Sequence, residues 1–393
     1  MDLPTFRELL TPAGQFALAN AAALGPTEAA FLACFEKLRK SHPAALAKAA
    51  LEMAILRVRG RAKFAHADRL YFTREALEQS SGHVVAEHRA KRFAPFGEVA
   101  DLCCGIGGDA LAFALAGLTV HAVESDPLRA AMATANAKAV GLAERVHVCE
   151  ADALKVPLPG VRAAFADPDR RQDRRRFLNP EEYAPPLSAL RGRFPADFPL
   201  GVKAAPGVAH EDIASLDAEA EFISVEGEMK ECVLWFGPLR TTTRRATLLP
   251  ANDTLFADNP PELPPVVTPG NYVFDPGSAV VRAGLSGLLA AQLGLSGIDY
   301  TVSLFTGPDV VVSPFLTAYR VEFADRFNAN RLRDYLRTYR VGRMTVVNRG
   351  FVYDVEETLK KLKCDGPEHR FVILTRIAGE AGVIVGDRVA GSV

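Results

Sequence analysis

Four acidic residues, Asp101, Glu124, Asp152 and Asp167, each stand at or just past the end of a short apolar run, and the first run passes into the glycine-rich turn Cys103-Cys-Gly-Ile-Gly-Gly-Asp109. Gly105, Gly107 and Gly108 let that backbone adopt dihedrals closed to other residues and let a ligand approach without meeting a Cβ. Amide N–H groups at the start of the alanine- and leucine-rich segment that follows would face such a ligand. Asp101 could bond an amino group. Glu124 lies 23 positions after it, close to where a βαβ unit sets a carboxylate that accepts both ribose hydroxyls. The spacing is G-x-G-G and not G-x-G-x-x-G, which speaks against a dinucleotide. After the fourth run, Asp167-Pro-Asp-Arg170 leads into Arg171, Arg174, Arg175 and Arg176. Five guanidiniums in seven positions form either a phosphate clamp or a solvated loop.

Elements able to hold these residues follow from the pattern. Apolar runs at 99–102, 118–124, 145–149 and 162–166 read as strands, and Asp126-Pro127 opens a helix as N-cap and N1, closing at Gly141. In an open α/β sheet the ends of such strands line one crevice. Further on, 181–193 reads as a helix, 198–203 as a fifth strand, 211–216 as a short helix and 221–225 as a sixth strand. The stretch 230–236 follows after so short a turn that it must run antiparallel.

The run 99–114 followed by Ala122-Val-Glu-Ser-Asp126 resembles motifs I and II of class I S-adenosylmethionine-dependent methyltransferases. The likeness is to the group containing trimethylguanosine synthase, and Ser81-Gly-His-Val-Val-Ala-Glu-His-Arg-Ala90 is similar to that group's helix before the core. The C-terminal third resembles the THUMP-like domain found behind bacterial methyltransferases of this kind. The resemblance implies a Rossmann-like α/β sheet of seven strands, six parallel and one antiparallel, with S-adenosylmethionine as cofactor. It places Ser81, Asp101, Cys103, Gly105, Gly107, Gly108, Glu124, Ser125, Asp126, Asp152, Ala153 and Asp167 around that cofactor. Asp152 would take the adenine amino group, and the Ala153 amide a ring nitrogen. Asp167-Pro168-Asp169-Arg170 occupies the motif IV position, where a carboxylate accepts the hydrogens of an exocyclic amine and keeps its lone pair aimed at the methyl group. Asp169 and Arg170 stand where the amine-modifying relatives carry a second proline and a base-stacking aromatic. Uridine-5 methylation would need a nucleophilic cysteine on the loop 201–207, and none is there.

The chain has 393 residues, enough for two or three domains. We expect a helical domain over 1–95, the methyltransferase domain over 96–250 and an α+β domain over 266–393, the last set off by Asn259-Pro-Pro-Glu-Leu-Pro-Pro265. With 46 basic against 47 acidic residues, an RNA partner must be met by a local patch rather than by a global field. A weaker basic cluster spans Arg57, Arg59, Arg61, Lys63, Arg69 and Arg74. Six cysteines without a C-x-x-C pair or metal spacing indicate a reduced, cytoplasmic setting with no metal, and no apolar run suits a membrane span. The expected activity is methyl transfer to an RNA base, tRNA or rRNA, with Asp167, Asp169 and Arg170 around the acceptor and Arg171, Arg174, Arg175 and Arg176 on the RNA. The alternatives are a small-molecule or protein methyltransferase, and an RNA-binding protein that has kept the fold without turnover.

Overall fold

A computed structural model of the chain describes every residue except 173, 174, 361, 363, 364 and 391–393. The chain divides into two compact units, one of Met1–Ala218 with Cys232–Thr241, the other of Glu219–Glu231 with Thr242–Val393.

The first unit opens with helices α1 (Leu3–Leu9), α2 (Pro12–Ala23), α3 (Phe31–Leu38) and α4 (Ala44–Gly60). Asp2 and Thr11 cap α1 and α2 by accepting the Thr5 and Gly14 amides, each with a proline in the first turn. The apolar α4 packs against α1, α2 and α3. Then come α5 (Arg74–Gln79) and α6 (His83–Phe93), followed by β1 (Glu98–Leu102), α7 (Gly108–Leu115), β2 (Thr119–Glu124), α8 (Pro127–Ala139), β3 (Val146–Glu150) and β4 (Ala163–Ala166). Two short strands, β5 (Arg171–Gln172) and β6 (Arg175–Arg176), pair as an antiparallel hairpin. After them come α9 (Leu187–Gly192), β7 (Leu200–Ala204) and α10 (His210–Ala214).

The helix expected over 181–193 shrinks to α9, because Pro185 and Pro186 cannot sit inside a helix and the Ala184-Pro185 bond is cis. β1 is parallel to β2 and β4, β2 to β3, and β4 to β7. β9 (Glu228–Phe236) runs antiparallel to β7. β8 (Glu219–Val225) precedes it. Beneath the sheet, the Phe93 ring meets Phe113, Phe165 and Trp235 at centroid distances of 5.0, 6.3 and 5.8 Å.

In the second unit, Glu226 and Gly227 after β8 both have positive φ, 51° and 80°, as a two-residue hairpin turn demands. β10 (Arg244–Leu249) lies parallel to β8, and β11 (Asp253–Ala257) antiparallel to β10. These two strands exceed the seven expected and extend the β8 edge. Next follow β12 (Tyr272–Pro276), α11 (Ser278–Ala283), α12 (Ser286–Leu293), β13 (Ser296–Gly297), β14 (Phe305–Gly307), β15 (Leu316–Arg326), α13 (Ala329–Thr338), β16 (Val341–Asn348), α14 (Val355–Lys360), β17 (Glu368–Ile377) and β18 (Glu380–Arg388). α11 ends at Gly284, which takes φ 69° and separates it from α12. The sheet runs β13-β14-β12-β15-β18-β17-β16. Among the described strands of this sheet only β16 and β17 pair in parallel, across the α14 crossover, and because they are direct neighbours this is an unsplit βαβ unit. No described helix is long and apolar enough to cross a membrane.

Candidate active site

Register fixes where the strand-end acids fall. Leu102 pairs with both Val123 and Ala166, and Glu124 pairs with Glu150, so Asp101, Glu124 and Asp167 reach one edge of the sheet, with Asp152 two residues past β3. Glu124 is buried and its carboxylate shapes the turn: Oε2 accepts the Gly105 amide at 2.8 Å and Oε1 the Asp126 amide at 2.9 Å. Asp126 in turn caps α8 through the Arg129 amide at 2.8 Å, and Ser125 is exposed beside it.

The three glycines have different work. Gly105 has φ 57°, and a Cβ there would meet nothing within 4 Å, so this residue borders open space. Gly107 has φ 84°, and a Cβ would lie 3.3 Å from the Ala133 Cβ, so it lets α8 approach the turn. At Gly108 a Cβ would lie 3.4 Å from the Phe64 ring.

Asp101 is about 1% exposed, and neither carboxylate oxygen has a hydrogen-bond partner. Burial raises its proton affinity well above the usual carboxylate range, and the Asp109 and Asp167 carboxylates add to the rise. Arg89 opposes it, as does the Ala110 amide from outside hydrogen-bond geometry. Arg89 is itself buried, bonded to Asp109 at 2.5 Å and lying 4.7 Å over the Phe165 ring.

The Cys103 thiol is pushed up by burial and then by the carboxylates of Glu124, Asp167, Asp101 and Asp152. Burial likewise raises Cys104, with Asp101 and Glu124 contributing, so neither thiol is disposed to act as a nucleophile. Asp152 is exposed. Its carboxyl is held below the ordinary range by the Leu154 amide at 2.9 Å, with Lys155 at 2.9 Å also lowering it. Ala153 next to it is buried.

At the end of β4, the Asp167 amide donates to Leu102 O at 3.1 Å, and Asp167 Oδ2 accepts from Lys203 Nζ of β7 at 2.7 Å. Asp169 and Ala184 exchange backbone bonds of 3.0 and 2.9 Å, and the Phe177 amide reaches Arg170 O at 2.9 Å. Tyr183 is buried, donates to Leu178 O and accepts the Ala205 amide, each at 3.0 Å. Burial raises its phenol, and the nearby Arg170 charge opposes the rise. Arg170 Nη1 is buried without a hydrogen-bond partner. Arg175 and Arg176 are exposed on the β5–β6 hairpin, and Arg175 lies 5.4 Å over the Phe177 ring. Arg171 contributes its backbone to that hairpin, and Arg174 lies outside the described residues.

Ser81 belongs to the link between α5 and α6. Lys63 organises the approach to it by donating to the carbonyls of Leu77, Glu78 and Ser80 at 2.7, 2.9 and 3.0 Å. The basic cluster that includes Lys63 is largely spent internally: Arg57 on the Leu70 and Arg69 carbonyls, Arg59 and Arg74 on Glu28, Arg61 on Asp68.

Reading the sequence missed three structural contributors. Lys203 was detectable as the one charge in an apolar strand. Asn136 fastens α8 to Tyr71 and Ile106 through three backbone hydrogen bonds of 2.7, 3.1 and 3.0 Å, and Arg89 pairs with Asp109. Their partners are 30 to 65 or 20 positions away, so no local pattern announces them. Among the described residues no cluster of three or more His, Cys, Asp or Glu could hold a metal ion. A separate cavity of about 300 Å³, lined by Arg191, Phe194, Phe198, Leu200 and Phe236 among others, opens at the other ends of β7 and β9.

Comparison with known proteins agrees with this architecture. Residues 97–181 match the RNA cap guanine-N2 methyltransferase family, residues 316–388 match the THUMP domain-like family, and residues 2–60 match a domain family of unknown function. An uncharacterized S-adenosylmethionine-dependent methyltransferase of Mycobacterium tuberculosis, found in strains CDC 1551 / Oshkosh and H37Rv, is 34% identical over 313 residues, 78% of this chain and 84% of the relative. A crystal structure of a candidate methyltransferase from Porphyromonas gingivalis W83 superposes with a TM-score of 0.74 at 20% identity, covering 93% of this chain and 99% of that one, which shows a shared fold. The chain belongs to the family of S-adenosylmethionine-dependent methyltransferases.

Proposed function

We propose that this methyltransferase acts on RNA and delivers the methyl group to an exocyclic amine of a base held between Asp167 and Arg170. The observation that carries the reading is that strand register brings Asp101, Glu124 and Asp167 to one edge of the sheet, beside the glycine turn that Glu124 holds through the Gly105 amide. A cofactor with a cationic amine at one end, a ribose in the middle and an adenine at the other matches that row of acids. The orphaned Asp101 carboxylate suits the ammonium. Glu124 retains lone pairs for the ribose hydroxyls, and Asp152 with the Ala153 amide faces the adenine. Bound there, the sulfonium supplies an electrophilic methyl group.

The protein's own contribution is alignment and exclusion of water. Asp167 accepts a hydrogen of the acceptor amine, which aims the nitrogen lone pair, and Asp169 and Arg170 border the base. The unsatisfied Arg170 Nη1 is a donor for the base or its phosphate. RNA as the acceptor is supported by the match to the guanine-N2 methyltransferase family, by the THUMP-like match and by the exposed Arg175 and Arg176 next to the acceptor side. In this reading residues 1–95 cap the donor side, 96–250 hold donor and acceptor, and 266–393 contact RNA. The five described cysteines are all free, in keeping with work in the cytoplasm.

Incubating the protein with methyl-labelled S-adenosylmethionine and total cellular RNA tests the reading. Label in nuclease-sensitive material supports it. Label on protein, or on a small molecule that survives nuclease treatment, replaces RNA with another acceptor.

A further inference from the structure

Lys203 is a buried ammonium in a strand whose other side chains are apolar. β7 reads Leu-Gly-Val-Lys-Ala, every position is buried, and the Lys203 side chain is only about 5% exposed. On one flank it is paired with Val233 of β9, which offers no charge. On the other, Val202 pairs with Ala166, so one step further along both strands sets Lys203 beside Asp167. The Nζ–Oδ2 distance of 2.7 Å is the result. Among the described residues Asp167 is its only ion-pair partner, and Asp167 Oδ1 carries no hydrogen bond, although the side chain is a quarter exposed. Burying a charge in this way is costly unless it is paired, and stability alone would be served as well by an apolar residue.

We propose that Lys203 is a positioning residue for methyl transfer: it pins Asp167 by one oxygen so that the other faces the acceptor amine. This rests on the reading that Asp167 receives the acceptor's hydrogen. Asp101 and Cys103 lie on the side of Asp167 opposite β7, and neither supplies a cation, so without Lys203 nothing on β1 or the glycine turn fixes the carboxylate. A misdirected carboxylate leaves the amine free to rotate its lone pair away from the methyl group, a loss of alignment worth roughly 100-fold in rate.

The experiment compares wild type, Lys203→Met, Lys203→Arg, Asp167→Asn and the Lys203→Met/Asp167→Asn double variant on the full chain. Labelled-RNA kinetics, calorimetric titration with S-adenosylmethionine and thermal melting are measured for each. Lys203→Met should lower kcat by roughly 100-fold while leaving KM for RNA and the affinity for S-adenosylmethionine within about threefold. Lys203→Arg should restore at least a tenth of wild-type kcat. In melting, the double variant should be more stable than Lys203→Met, because it removes the carboxylate stranded by the first change. Should Lys203→Met not fold, Lys203→Gln takes its place with the same expectations.

Full kcat in Lys203→Met, or a parallel loss of cofactor affinity and kcat, overturns the positioning role. If Asp167→Asn keeps wild-type kcat, the reading of Asp167 itself fails. The melting cycle then still reports whether the pair exists.

Discussion

Asp101 concentrates the conflict between stability and binding. Its folded-state proton affinity is raised, chiefly by burial, so between the ordinary carboxylate value of 3.8 and its raised value the folded protein holds a proton that the unfolded chain has released. Stability from this group is therefore complete below 3.8 and is lost as pH rises. Asp101→Asn removes the liability. In the absence of ligand it should raise the melting midpoint at pH 7 by about 2–4 °C, the shift that ~1 kcal/mol produces in a domain of this size, with no gain at pH 3.5. The same change should weaken S-adenosylmethionine binding about tenfold or more, since a charge-assisted bond to the ammonium is lost. Melting curves at the two pH values and a calorimetric titration check both signs. A variant that loses stability at pH 7 would mean that Asp101 is paired in the folded protein.

The glycine turn is the element on which the site depends, and its glycines should separate by experiment. Gly107→Ala forces a side chain into the left-handed region 3.3 Å from Ala133, and should cost about 1–3 kcal/mol of stability. Gly105→Ala meets no protein atom. It should cost about 1 kcal/mol in strain while reducing cofactor affinity at least tenfold, because the new methyl projects toward the space left for a ligand. Melting and titration of the two variants distinguish a packing glycine from a ligand-facing one. Asn136→Ala strands a Tyr71 N–H and two carbonyls inside the protein, and chemical denaturation should register a loss of about 2–4 kcal/mol.

Much at this scale was legible in the chain. The alternation of apolar runs with Asp126-Pro127 and Gly141 fixes β1 to β4 and α8 nearly to the residue, since capping chemistry and periodicity are local. The Pro185-Pro186 pair that shortens the helix expected over 181–193 is an equally local signal. The Lys203–Asp167 and Arg89–Asp109 pairs depend on strand register and on how α6 lies against α7, which single residues do not encode. Ser125 and Ser81 were placed by resemblance alone.

Over the whole molecule, charge is almost balanced, at a formal −1, so RNA binding has to come from local cations. The arginines of the second unit are partly committed: Arg349 grips the buried Asp275 through two bonds of 2.8 and 2.9 Å, and Arg331 pairs with Asp325 at 2.7 Å. Arg175 and Arg176 are exposed on their hairpin. Changing both to Ala should weaken RNA binding and flatten the slope of log affinity against log salt by about 1.4–1.8, two phosphate contacts' worth. An unchanged slope in filter binding at several salt concentrations would remove the hairpin from the RNA surface.

The account stands on the location of the methyl donor. Ultraviolet crosslinking of methyl-labelled S-adenosylmethionine to the full chain, followed by peptide mapping, reads that location directly. Label is predicted in peptides covering 99–109, 122–126, 151–153 or 167–170. Label confined to 191–200, around the Arg191, Phe194 and Phe198 cavity, would contradict it.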